Sequence, residues 1–106
     1  MTLVIRPEAI EELLSSARWY NEQRLGLGSE LIDEAWAALG RIQAAPAAFG
    51  RYEFYRGSDE VRRAGLARFP YSVIFLVEPD CIGVLAFAPD KRRPLYWLNR
   101  LHGAGS

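Results

Sequence analysis

The sequence predicts an α+β fold, with an N-terminal strand and an antiparallel helix hairpin packed on one face of a twisted antiparallel sheet. Three observations predict it. A short β-branched run opens the chain, two consecutive segments then carry apolar residues at helical spacing, and from Arg51 onward the pattern becomes short apolar runs punctuated by glycine, proline and aspartate. At 106 residues the chain has the size of one domain, 1–106, with no repeat, linker or low-complexity segment. Half of it is apolar and a quarter charged, ordinary globular composition that argues against disorder.

The elements follow in order. Thr2 to Arg6, "TLVIR", suits a first strand. Pro7 stands at a first helical position, where a missing N–H costs nothing, and Glu8, Glu11 and Glu12 favour the positive end of the helix dipole. Ile10, Leu13, Leu14, Ala17 and Tyr20 make one apolar face, so the first helix runs from about Pro7 to Arg24. "GLGS", Gly26 to Ser29, breaks it: Gly26 or Gly28 supplies a left-handed cap and Ser29 caps the next helix. Ile32, Ala35, Trp36, Leu39 and Ile42 give the second helix, which Pro46 ends. So short a connection makes the two helices antiparallel neighbours.

"RYEFY", Arg51 to Tyr55, alternates and reads as a strand, with a turn at Gly57 to Glu60. Glu60 to Phe69 reads as a strand of small and basic residues, with Gly65 marking a bulge or kink. Tyr71 to Glu78 is apolar on both faces, as a central strand is, and Pro79 and Asp80 turn the chain into the returning strand Cys81 to Ala88. The basic, aromatic tail closes as a short helical turn.

Charge is balanced overall and divided along the chain. Residues 1–50 carry four arginines against seven acids, and residues 51–106 carry eight arginines and one lysine against six acids. Arginine forks onto carboxylates and phosphates as lysine does not. The arginine excess reads either as pairing with the acidic helices or as an anion-binding face. A sequence pI of 6.6 speaks against extensive tracking along nucleic acid.

Several chemistries are excluded. Cys81 is the one cysteine and His102 the one histidine, so there is no internal disulfide and no zinc site of Cys and His alone. No cofactor or metal is expected. "GLGS" lies between two helices and is no phosphate loop. No triad is plausible with the histidine in the C-terminal tail, and Cys81, flanking a turn, reads as an inert thiol. The adjacent carboxylates Glu11 and Glu12, and Asp33 and Glu34, point about 100° apart on their helices and read as solvated faces. No apolar run reaches the ~20 residues of a membrane helix, and the first residues lack a signal-peptide pattern, so a cytoplasmic protein is expected.

The arginine strand carries the functional expectation. Alternation puts Arg63 and Phe69 on one face and Arg62, Leu66 and Arg68 on the other. If Arg63 points into a groove beside Arg92, Arg93 and Tyr96, the set can bind a phosphate and stabilise charge in phosphoryl transfer; the other reading, which is favoured, is structural pairing with the acidic helices. Tyr96 and Trp97, beside Arg92, Arg93 and Arg100, either stack bases or plug the open end of the sheet, and the plug is favoured. Trp19, Tyr20 and Trp36 read as core and rim of the helix–sheet interface.

Three stretches, "ARWYNEQRLGLGSEL" at Ala17 to Leu31, "IQAAPAAFGRY", and "VRRAGLARFPYSVIFLVEPDCIGVLAFAPDKRRPLYW", together resemble the RelE/ParE superfamily of toxins from bacterial type II toxin–antitoxin modules. The order and spacing of these pieces, from Ile5 to about Arg100, look most like the ParE-type, plasmid-stabilisation branch. The resemblance implies two N-terminal helices on a twisted antiparallel sheet and a cognate antitoxin that wraps the toxin. It implies either a DNA gyrase inhibitor or, in the RelE-type alternative, an endoribonuclease that cuts mRNA on the ribosome. A degenerate toxin that retains antitoxin binding alone is a third reading. Target or phosphate binding then falls to Arg62, Arg63, Arg68, Arg92, Arg93, Tyr96 and Trp97, and nuclease chemistry, if present, to Arg63, Arg68, Arg93 and Tyr96. Two departures favour the ParE-type reading: Pro89 stands where many relatives carry a histidine, and Lys91 is the one lysine where RelE-type nucleases carry a cluster.

Overall fold

The computed structural model describes residues 1–101, so His102 lies outside the described residues. The elements are β1 (Thr2–Ile5), α1 (Pro7–Gln23), α2 (Leu27–Ala44), a 3-10 turn (Pro46–Ala48), β2 (Glu60–Gly65), β3 (Tyr71–Val77), β4 (Cys81–Pro89) and a second 3-10 turn (Leu98–Arg100). The sheet order is β1-β4-β3-β2. The fold is α+β as the sequence predicts, with one correction: the sheet is mixed. β1 runs parallel to β4, with Thr2 opposite Cys81 and Ile5 opposite Val84, while the other pairs are antiparallel. A parallel neighbour needs a crossover, and here the whole helix hairpin plus β2 and β3 supplies it.

The hairpin turns on two glycines with different tasks. Gly26 takes φ 94, the left-handed region that glycine enters without penalty. A Cβ on Gly28 would stand 2.2 Å from the Ala17 carbonyl oxygen, so Gly28 lets the helices touch. Ser29 is not the cap. The Asn21 side chain accepts from the Gly26 and Gly28 N–H groups at 3.2 and 2.8 Å, so α1 caps α2.

Two apolar layers sandwich the sheet. Above it, the helices bury Leu31, Ala35, Ala38 and Ile42 against Val73, Phe75, Ile82, Val84 and Phe87. Below it, Val61, Ile74, Leu85 and Ala86 are covered by Trp97 and Leu101 of the C-terminal segment. Trp97 is 1% exposed and is the plug. Leu85 and Ala86 both face the lower layer because pairing slips there: Ile74 opposes Ala86 and Phe75 opposes Val84. The bulge therefore lies in β4 and not at Gly65.

Arg51 to Tyr55 is not a strand. It makes one bridge, Arg51 to Arg62, and then turns, with the Tyr55 N–H donating to the Tyr52 carbonyl at 3.2 Å. Its short pairing still covers the outer edge of β2. Trp19 and Trp36 are more exposed than an interface core allows, at 54% and 57%. Among the described residues no helix is long and apolar enough to cross a membrane.

Candidate functional site

Beneath the sheet, β2, the first half of β3, the end of β4 and residues 92–97 line an open cleft of about 130 Å³. Arg63 projects into it from β2, because the pleat sends 61 and 63 downward and 62 and 64 toward the helices. Arg92, Arg93 and Tyr96 line the same cleft, with Tyr52 and Phe54 forming part of its wall. The sequence-predicted grouping of Arg63 with Arg92, Arg93 and Tyr96 is thus present as a geometry.

Each arginine is held differently. The Arg63 Nε donates to Ser72 Oγ at 2.9 Å, Ser72 Oγ lies 3.2 Å from Asp90 Oδ1, and Arg63 Nη2 lies 3.7 Å from the same Asp90 oxygen. Both ends of that ion pair are open, at 44% and 43% side-chain exposure. The Arg92 guanidinium stacks over the Tyr96 ring at 3.7 Å and lies 3.8 Å from Glu12. Among the described residues Arg93 makes no ion pair and is exposed.

Two predicted residues, Arg62 and Arg68, lie elsewhere, and a third, Trp97, belongs chiefly to the core. Arg62 is spent on the helix side of β2, where it donates to Glu60 at 2.7 Å and to the Phe49 carbonyl. Arg68 pairs with Glu30 of α2. Trp97 is core, although its edge reaches the cleft wall. Leu66 and Arg68 do share the helix side with Arg62, but the expected pairing of Phe69 with Arg63 fails, since Phe69 sits in the helix-side core. β2 stops at Gly65, and the chain then turns, with the Leu66 N–H donating to the Tyr71 carbonyl at 2.9 Å, so strand alternation does not extend past it.

Glu12 is one residue that sequence reasoning missed, and Asp90 is another. Glu12 is no solvated-face carboxylate: its side chain is 15% exposed and gathers four donors. Arg100 forks onto it at 3.0 and 3.1 Å, the Tyr96 hydroxyl donates at 2.7 Å and the Phe87 N–H at 3.1 Å. Arg100 also donates to the Leu85 carbonyl at 3.1 Å. β1 ends opposite Val84, so β4 runs on with an unpaired edge, and the Glu12–Arg100 pair satisfies one donor and one acceptor of that edge. Burial, then the Glu12 carboxylate, push the Tyr96 phenol well above the ordinary tyrosine range, so Tyr96 holds its proton. Leu95, at φ 67, makes the left-handed turn between Pro94 and Tyr96.

A second concavity opens above the sheet between α1 and α2. Ala9, Leu13, Ala35, Val73 and Phe87 line it, and its mouth is formed by Ile10, Leu14 and Trp36, all exposed.

No protein-family model matches the chain, and no curated protein matches it. Among solved structures, a chain of the "Chromosomal ParDE TA system from P. aeruginosa" superposes with a TM-score of 0.63 at 19% identity, covering 84% of this chain and 95% of that one. At that identity the likeness shows the fold, which is the α+β arrangement that the sequence resemblance implies.

Proposed function

We propose that this chain is the toxin of a type II toxin–antitoxin module, a ParE-type growth inhibitor of DNA gyrase that a cognate antitoxin neutralises in the cytoplasm. The observation that carries the reading is the shared fold with a ParDE-system chain over nearly its whole length, found for a sequence whose motifs resemble the same superfamily. The site supports binding over bond cleavage. Cutting RNA needs a base and an acid as well as cations. In the cleft the Tyr96 phenol, the candidate acid, is locked to Glu12 with its proton retained. The convergence of Arg63, Arg92 and Arg93 is the feature that the alternative, a RelE-type ribosome-dependent endoribonuclease, would use. The antitoxin is assigned to the apolar groove between the helices, whose mouth leaves Ile10, Leu14 and Trp36 uncovered.

Expression without the antitoxin should arrest growth. Purified protein should inhibit gyrase supercoiling and leave mRNA intact in a translating extract. Codon-phased mRNA cuts would establish the nuclease instead, and normal growth would leave a degenerate toxin. Trp36→Asp should abolish capture of the antitoxin while the fold persists.

A further inference from the structure

The Arg63–Asp90 pair has features that a fold-stabilising pair lacks. The ions are 3.7 Å apart, both ends are more than two-fifths exposed, and Arg63 is already aligned by the buried Ser72 hydroxyl. Around it stand Arg92, only partly neutralised by Glu12 at 3.8 Å, and Arg93, exposed and without an ion pair among the described residues. The cleft lining therefore holds three guanidinium groups against two carboxylates, Glu53 on the wall beside Tyr52 and Phe54 and Asp90 facing Arg63, which leaves an excess of positive charge. We propose that Asp90 is an internal stand-in for an external phosphoryl group: it keeps Arg63 aligned, and a phosphate displaces it. The proposal rests on the reading of this cleft as the functional face and names the chemistry that the cleft accepts.

Charge and geometry select phosphate over carboxylate. A carboxylate from outside would replace Asp90 like for like. A phosphate brings more negative charge and more acceptor oxygens, and so engages Arg63, Arg92 and Arg93 together. Asp90 thereby acts as a specificity-determining residue, rejecting weak anions by occupying their place.

Asp90→Asn tests this directly, because an amide keeps the shape and the acceptor for Ser72 and removes only the charge. Asp90→Ser is a second neutral variant, and Asp80→Asn, in the exposed β3–β4 turn, removes the same charge at a distance. Pyrophosphate binding by the purified chain is measured at low, constant salt. Asp90→Asn should bind about fivefold more tightly than wild type, the scale of one exposed ion pair. Asp80→Asn should stay close to wild type. Arg63→Ala should weaken binding, and Asp90→Asn combined with Arg63→Ala should regain nothing. A nucleoside triphosphate and a short single-stranded oligonucleotide, measured alongside, distinguish a free nucleotide from a polymer backbone as the source of the phosphate. The proposal is overturned if no variant binds pyrophosphate, if Asp80→Asn gains as much as Asp90→Asn, if the gain survives loss of Arg63, or if acetate binds as well as pyrophosphate. None of these results depends on growth arrest, so the toxin reading stands or falls separately.

Discussion

Two arginine–carboxylate pairs lie on either side of Tyr96, and they are built for opposite ends. Arg100 and Glu12 are 12% and 15% exposed, doubly bonded to each other, and further tied to Tyr96, Phe87 and Leu85. Arg63 and Asp90 are about three times as exposed, and their guanidinium and carboxylate are 3.7 Å apart. Buried charges survive only with every acceptor satisfied, and losing one partner leaves the other stranded. Exposed pairs contribute about 0–1 kcal/mol and exchange partners with little loss. The first pair seals a strand edge and anchors the C-terminal segment. The second leaves an arginine positioned and available.

The largest expected effect comes from breaking the sealed pair. Glu12→Ala strands Arg100 and frees the Phe87 N–H and the Tyr96 hydroxyl, so unfolding free energy should fall by about 3–5 kcal/mol. Urea unfolding followed by tryptophan fluorescence reads this, since Trp97 sits in the layer that Arg100 and Tyr96 hold in place. A loss under about 1 kcal/mol would make Glu12 the solvated carboxylate that its helix position suggests.

A smaller effect on stability, with a larger one on activity, is expected at the open pair. Arg63→Ala should move unfolding free energy by no more than about 1 kcal/mol while growth arrest weakens or disappears and antitoxin binding is retained. Arg62→Ala is the comparison, because the pleat turns it to the helix side, where Glu60 and the Phe49 carbonyl hold it. Its loss should reduce toxicity less. Equal toxicity in wild type and both variants would remove Arg63 from the functional face.

The same contrast marks what was legible in the sequence. Local signals held: Pro7 starts α1, the apolar spacing of Ile32 to Ile42 defines α2, and the doubly apolar run from Tyr71 is one of the two interior strands. Strand alternation separated Arg63 from Arg62, and the grouping of Arg63 with Arg92, Arg93 and Tyr96, open in the sequence, is the one the structure shows. Glu12 was illegible because its partners lie 75, 84 and 88 positions away, and nothing local distinguishes it from Glu11. The parallel pairing of β1 and the slip at Leu85 are likewise long-range choices, made by which edge remains open once the hairpin has packed. Arg51 to Tyr55 failed for the opposite reason: its alternation is real, but the turn from Tyr52 to Tyr55 ends the pairing after one bridge. Asp90 was overlooked because an aspartate after a strand end reads as turn chemistry until the residue opposite it is known.

The measurement that separates the two pairs most directly is a double-mutant cycle on each, with Glu12→Ala and Arg100→Ala in one and Arg63→Ala and Asp90→Ala in the other, read by urea unfolding at one pH and salt. The sealed pair should show a coupling above about 2 kcal/mol, and the open pair a coupling below about 1 kcal/mol. Equal couplings, or a stronger one for Arg63 and Asp90, would contradict the assignment of Arg63 as an arginine held ready for an outside anion.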